Sequence, residues 1–97
     1  MMLSTPYVWV DLGIMENNID KMIKALKQYG INHRPHIKTH KSIAIAKMQI
    51  DAGAVGITCA KISEAKVMAE AGINDILIAY SLVGEDKMER LDRLMDI

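Results

Sequence analysis

The chain has 97 residues, enough for one small domain and no more. Lys plus Arg number 12 and so do Asp plus Glu, and a net charge of zero removes the electrostatic case for a nucleic-acid or membrane-surface partner. A composition 51% hydrophobic and 25% charged excludes a disordered chain, and no apolar run approaches the roughly 18 residues of a membrane span.

In chain order, the opening Met1-Met2-Leu3-Ser4-Thr5-Pro6 has no basic, then long apolar, signal-peptide pattern. Tyr7 to Leu12 is β-branched and aromatic and predicts a strand. Met15, Ile19, Met22, Ile23 and Leu26 then fall on one helical face, with Gly30 as the stop. His33 to Thr39 is the next extended segment. A second helix is expected over Ser42 to Ala52, ended by Gly53, followed by an apolar strand over Val55 to Ala60. The third helix is expected to open at Ser63 as N-cap, with Glu64 in its first turn, and to stop at Gly72. Asp75 to Tyr80 is again a short apolar strand, and Glu85 to Met95 a last helix. The lone Cys59 permits no intrachain disulfide, which points to a reducing, cytoplasmic compartment.

A weak internal echo supports this order. Tyr-Gly-Ile-Asn, Ala-Gly-Ala-Val and Ala-Gly-Ile-Asn each stand just before a strand, as in a repeating β/α protein. The class is therefore α/β, in a single domain over residues 1–97. A closed eight-stranded barrel needs about 250 residues, so pattern alone leaves an incomplete barrel and a small open doubly wound sheet both standing.

Chemistry concentrates in residues 32–41, Asn-His-Arg-Pro-His-Ile-Lys-Thr-His-Lys. Strand alternation puts Arg34, His36, Lys38 and His40 on one face and Pro35, Ile37 and Thr39 on the other. The apolar face is expected to pack on helices. A buried row of unpaired cations costs several kcal/mol each, so the row suggests a site that takes negative charge. A lysine among cations in a partly desolvated site is suited to Schiff-base chemistry with an aldehyde. Three other readings share the pattern. Pro35 is unwelcome in a central strand, so the segment fits a solvated loop; His36 and His40 share a face and fit a metal, although no Cys, Asp or Glu lies in the segment; and the cations fit a phosphate patch without covalent chemistry.

The octet Arg34-Pro35-His36-Ile37-Lys38-Thr39-His40-Lys41 closely resembles the Arg-Pro-His-x-Lys-Thr-His-Lys signature of D-threonine aldolases and eukaryotic-type D-serine dehydratases. These are fold-type III pyridoxal enzymes, grouped with alanine racemase. Thr5-Pro6-Tyr7, Val10-Asp11-Leu12 and Asn17-Asn18-Ile19 resemble that family's opening. Cys59-Ala60-Lys61, Glu64-Ala65, Met68-Ala69, Ala71-Gly72 and Asp75 to Tyr80 resemble its following strand–helix–strand.

The resemblance implies an incomplete (β/α)8 TIM-type barrel, about three βα units with a leading strand and helix. It implies pyridoxal 5'-phosphate as cofactor, with Lys38 as the lysine of the internal aldimine and Arg34, His36 and His40 as neighbours of the cofactor. His36 or His40 as a proton-transfer partner is an inference from shared parity. The family's first strand, here Tyr7 to Leu12, belongs to its C-terminal β domain, and its phosphate loops and divalent-metal ligands lie later in the chain, so no metal site is expected here. The expected parent is a lyase acting on a D-amino acid by aldol cleavage or dehydration, less favourably a racemase. Because the sequence stops at Asp96-Ile97 inside a helical pattern, the expectation is a truncated product, proteolytic remnant or interrupted reading frame, inactive alone. Its uncovered strand edge predicts homo-oligomers. The competing reading is a non-catalytic, self-associating half-barrel or a pyridoxal-phosphate-binding protein without turnover.

Overall fold

The computed structural model describes residues 2–97. Among these residues the order is α1 (Leu12–Lys27), α2 (Ile43–Ala52), β1 (Ile57–Cys59), α3 (Ile62–Glu70), β2 (Ile76–Ile78) and α4 (Glu85–Met95). The strands pair in parallel, Ile57 with Ile76 and Cys59 with Ile78. Residues 33–37 extend the sheet on the other side of β1 through a parallel bridge between His36 and Thr58. Main-chain bonds from Val55 to His33, Thr58 to Pro35 and Ile37 to Thr58 run along that seam at 2.8–2.9 Å. Three parallel segments thus lie side by side in chain order, with one helix in each crossover.

The register explains which residues meet. His36, Thr58 and Leu77 form one cross-strand row. Stepping two residues back gives Arg34, Gly56 and Asp75. The intervening residues Ile37, Ile57 and Cys59 point to the opposite face. There they are fully buried with Ala46 of α2 and Ala65 and Met68 of α3, while Ile76, Ile78 and Leu94 pack against the group. Burial of a side chain such as Ile37 or Ile57 contributes about 1.5–3 kcal/mol. The helices joining this core lie on the Ile37 side, and Leu77 on the other face is 50% exposed. Ile37 therefore faces the helices as its parity predicts.

The repeated glycine echo has one physical basis. Gly30, Gly53 and Gly72 all have positive φ, at 68°, 128° and 94°. The residue after each donates back into the preceding helix, Ile31 to Leu26, Ala54 to Gln49 and Ile73 to Met68, at 3.0–3.1 Å. This is the Schellman closure that turns the chain from helix into strand.

Four expectations are corrected. Tyr7 to Leu12 forms no strand, because residues 7–10 have no ladder partner among the described residues; Asp11 instead caps α1 by accepting from Ile14 N–H at 3.0 Å, and Leu12 is already helical. α3 opens at Lys61, not Ser63, because the Glu64 carboxylate takes the Ala60 amide and draws the helix start back. The two apolar strands are three residues each, shorter than the runs that suggested them. Finally, the alternation through His40 ends at Ile37. Residues 38–40 form a turn closed by the Lys41 amide on the Ile37 carbonyl at 2.8 Å, so His40 does not continue the Lys38 face. Ser42 does cap α2, accepting from Ile45 N–H, and Gly53 ends it.

Candidate active site at the ends of the parallel strands

Lys38 stands just beyond the C-terminal end of the first parallel segment, on the edge where β1 runs into Ala60 and β2 into Ala79. It is exposed, and no carboxylate among the described residues lies within ion-pair distance of its Nζ. Its main chain is fixed from within the octet. The Lys38 amide donates to Nδ1 of His36 at 3.2 Å. Because Nδ1 accepts, the neutral His36 ring carries its proton on Nε2.

His40 is committed elsewhere. Its Nδ1 accepts the Ser42 amide at 2.9 Å and its Nε2 lies 3.1 Å from Oε1 of Gln49. With Nδ1 an acceptor, Nε2–H donates to Gln49. His40 thereby fastens the turn to the start and body of α2. His36 and His40 both line an open cleft of about 600 Å³ with Trp9, Asn18 and Met22, and Lys38 is not among its walls.

Arg34 is also apart from Lys38. Its Nη1 lies 2.8 Å from Oδ1 of Asp75 and donates to the carbonyls of Ile57 and Asp75 at 3.3 and 3.2 Å. These partners sit at the starts of β1 and β2, the edge opposite Lys38. The four basic residues of the expected row thus separate into an exposed lysine at one edge, a paired arginine at the other and two histidines bonded to main chain. The structure does not assemble the single cationic row that alternation predicts.

Sequence patterns left two contributors unassigned. Lys41 has φ 51°, and its Nζ reaches Oε2 of Glu64 at 3.5 Å. Oε1 of Glu64 accepts the Ala60 amide at 2.9 Å. Burial raises the Glu64 pKa, but the Ala60 amide and the Lys41 ammonium outweigh it and hold the carboxyl below its ordinary 4.5. The available signal was an acid three positions after a helix start. Second, Lys61, Lys87 and Arg90 gather around a cleft of about 510 Å³ beyond β1 and β2, with Tyr80 as a further wall. No local spacing links residues so far apart. Cys59, inside the core, has its thiol pushed up to about 11 by burial and then by the Glu64 charge, so it is not a poised nucleophile.

A parallel sheet with helices in its crossovers defines a β/α protein, and Lys38 stands exposed at the C-terminal edge of that sheet. The family described as Alanine racemase, N-terminal domain, matches residues 10–97, and the chain belongs to it. The chain is 41% identical over 93 residues to 3-hydroxy-D-aspartate aldolase of Paracoccus denitrificans, covering 95% of this chain and 24% of that protein. The crystal structure of D-threonine aldolase from Filomicrobium marinum superposes with a TM-score of 0.90 at 44% identity, over 94% of this chain and 25% of that one. D-threo-3-hydroxyaspartate dehydratase from Delftia sp. HT23 gives 0.90 at 37% identity, over 97% and 24%. The chain therefore spans about a quarter of the length of the relatives it matches. Among the described residues no helix is long and apolar enough to cross a membrane.

Proposed function

We propose that this chain is the N-terminal part of a pyridoxal-phosphate-dependent lyase acting on small D-amino acids by aldol cleavage or dehydration, and that Lys38 holds the cofactor through Nζ. The observation that carries the reading is the position of Lys38: exposed, without a carboxylate partner, at the C-terminal end of the first of three parallel segments. Relatives named as aldolases and dehydratases of D-hydroxyamino acids supply the reaction class. The parent barrel is supported by three parallel segments that follow in chain order, with both crossover helices, α2 and α3, on the Ile37 side.

When bound, pyridoxal phosphate supplies an electron sink for cleavage at the substrate Cα. This chain's residues do simpler things. Lys38 presents a primary amine able to form and exchange a carbon–nitrogen bond and to carry a proton at Nζ. His36 holds the Lys38 main chain and keeps its own proton on Nε2. His40 has both ring nitrogens engaged, which favours His36 over His40 as a proton partner. Arg34 serves the sheet, not the cofactor. From the family resemblance we assign any divalent metal of the parent enzyme to residues outside this segment.

Titrating the chain with pyridoxal phosphate and following the absorbance of the bound cofactor tests this reading. Saturable binding that Lys38→Ala abolishes is the expected result. Equal binding by parent and variant would refute the assignment.

A second reading, self-association without turnover, is favoured by one observation. Among the described residues the outer edge of β2 is unpaired, and Leu77 within that strand is exposed. Sedimentation of the chain with and without Leu77→Lys tests it, with dissociation by the lysine as the expected outcome and an unchanged monomer as the refutation.

A further inference from the structure

We propose that Glu64, acting through Lys41, is a positioning residue that holds the turn bearing Lys38 against the end of β1. The inference rests on the role proposed for Lys38.

The turn needs such a support. Lys41 sits at φ 51°, a left-handed conformation that costs a non-glycine residue roughly 1–2 kcal/mol. Within the turn only the Lys41 amide to the Ile37 carbonyl, at 2.8 Å, closes the ring. The restraint comes from 23 residues on. Glu64 is 8% exposed, far more enclosed than the carboxylates of the three pairs within α3 and α4. One of its oxygens faces Nζ of Lys41 at 3.5 Å and the other accepts the Ala60 amide at 2.9 Å.

Ala60 directly follows β1, at the edge of the sheet where the turn bearing Lys38 stands. One carboxylate therefore bridges the lysine turn to the end of the neighbouring strand. His36 on the Lys38 amide and His40 on the Ser42 amide fix the other sides of the turn.

Helix capping explains part of this arrangement. Glu64 is the third residue of α3, and an acid there commonly reaches back to an amide at the helix start. Capping does not explain why a left-handed Lys41 delivers its ammonium to the second oxygen. Covalent attachment supplies a reason: a cofactor tied at one end to Lys38 and held at the other by different loops demands a main chain fixed to about half an ångström.

Two variants separate positioning from capping. Glu64→Gln keeps an acceptor for the Ala60 amide and removes the charge. Lys41→Asn removes the ammonium and suits a positive φ. Each is compared with the parent chain by amide hydrogen exchange and by the fraction of Lys38 carrying a borohydride-reduced pyridoxal phosphate adduct at limiting cofactor. The Lys41 amide reports the turn, and the Thr58 amide, bonded to Pro35 at 2.8 Å, reports the sheet.

Both variants should exchange the Lys41 amide roughly threefold to tenfold faster relative to Thr58, with adduct at Lys38 reduced by a similar factor. Equal acceleration at both amides means a merely structural role and overturns the inference. So does an unchanged adduct fraction, while a normal adduct in the parent leaves the Lys38 reading intact. Absence of adduct at Lys38 in the folded parent overturns both.

Discussion

Arg34 reaches Asp75 across an intervening strand, bringing Nη1 to 2.8 Å from Oδ1 over a gap of two strand spacings, roughly 10 Å between main chains. It passes over Gly56, the residue in register between them. A side chain at 56 would meet the Arg34 guanidinium and the Asp75 carbonyl oxygen, which is main chain and cannot swing aside. The glycine and the ion pair are one device that gathers the starts of three parallel segments.

Gly56→Ala is therefore expected to destabilise the chain by about 1–3 kcal/mol, a shape conflict in a packed region. Chemical denaturation of both proteins measures it. A loss well below 0.5 kcal/mol would mean that the passage over Gly56 is not tight.

The ion pair itself should contribute little. Both side chains retain solvent, so a double-mutant cycle with Arg34→Met and Asp75→Asn should give a coupling of about 0.2–1 kcal/mol, smaller in high salt. Arg34→Met alone should cost more, about 1–2 kcal/mol, because the guanidinium also serves two main-chain carbonyls. Neither substitution should alter modification of Lys38 in folded protein, since Arg34 works at the opposite edge of the sheet.

Glu64 gives stability an acid dependence with a definite sign. Its carboxyl is held below 4.5 in the folded chain, so the folded state binds fewer protons than the unfolded one in that range. The resulting stabilisation is present above pH 4.5 and is lost as pH falls through the folded value. Thermal unfolding of parent and Glu64→Gln should differ near neutrality and converge as the pH drops below 4.5. A constant difference across that range would contradict the assignment.

Cys59 should be inert in the folded chain. With the thiol pushed up to about 11 from an ordinary 9.0, its thiolate fraction near pH 8 is roughly a hundredfold below that of an unfolded cysteine. Alkylation at pH 8 should be at least that much slower in buffer than in denaturant. The linkage runs opposite to that of Glu64: stability should fall as pH rises from 9 towards 11, because only the unfolded chain releases its proton there. Equal alkylation rates would place Cys59 outside the core.

Much of this fold was legible from local pattern. Ile37 faces the helices as the parity of its extended segment predicts, Ile57 and Cys59 sit in a short apolar run that marks a buried strand, and Gly53 stops α2 where expected. Features set by distant partners were not legible. The turn at Lys38 to His40 depends on Lys41 finding Glu64, and the place of Arg34 depends on Asp75, 41 residues on. Tyr7 to Val10 reads as strand by residue type, but strand is a property of pairs, and among the described residues these have no partner. The idea that the octet's cations act as one row failed for the same tertiary reasons.

The central claim is that Lys38, among the nine lysines of the chain, is the one that takes the cofactor. Incubation with pyridoxal phosphate, borohydride reduction and peptide mapping by mass spectrometry tests it most directly. The expected result is one dominant adduct, on the peptide containing Lys38. Adducts spread over Lys21, Lys24, Lys47 and other exposed lysines, with none preferred at Lys38, would contradict it.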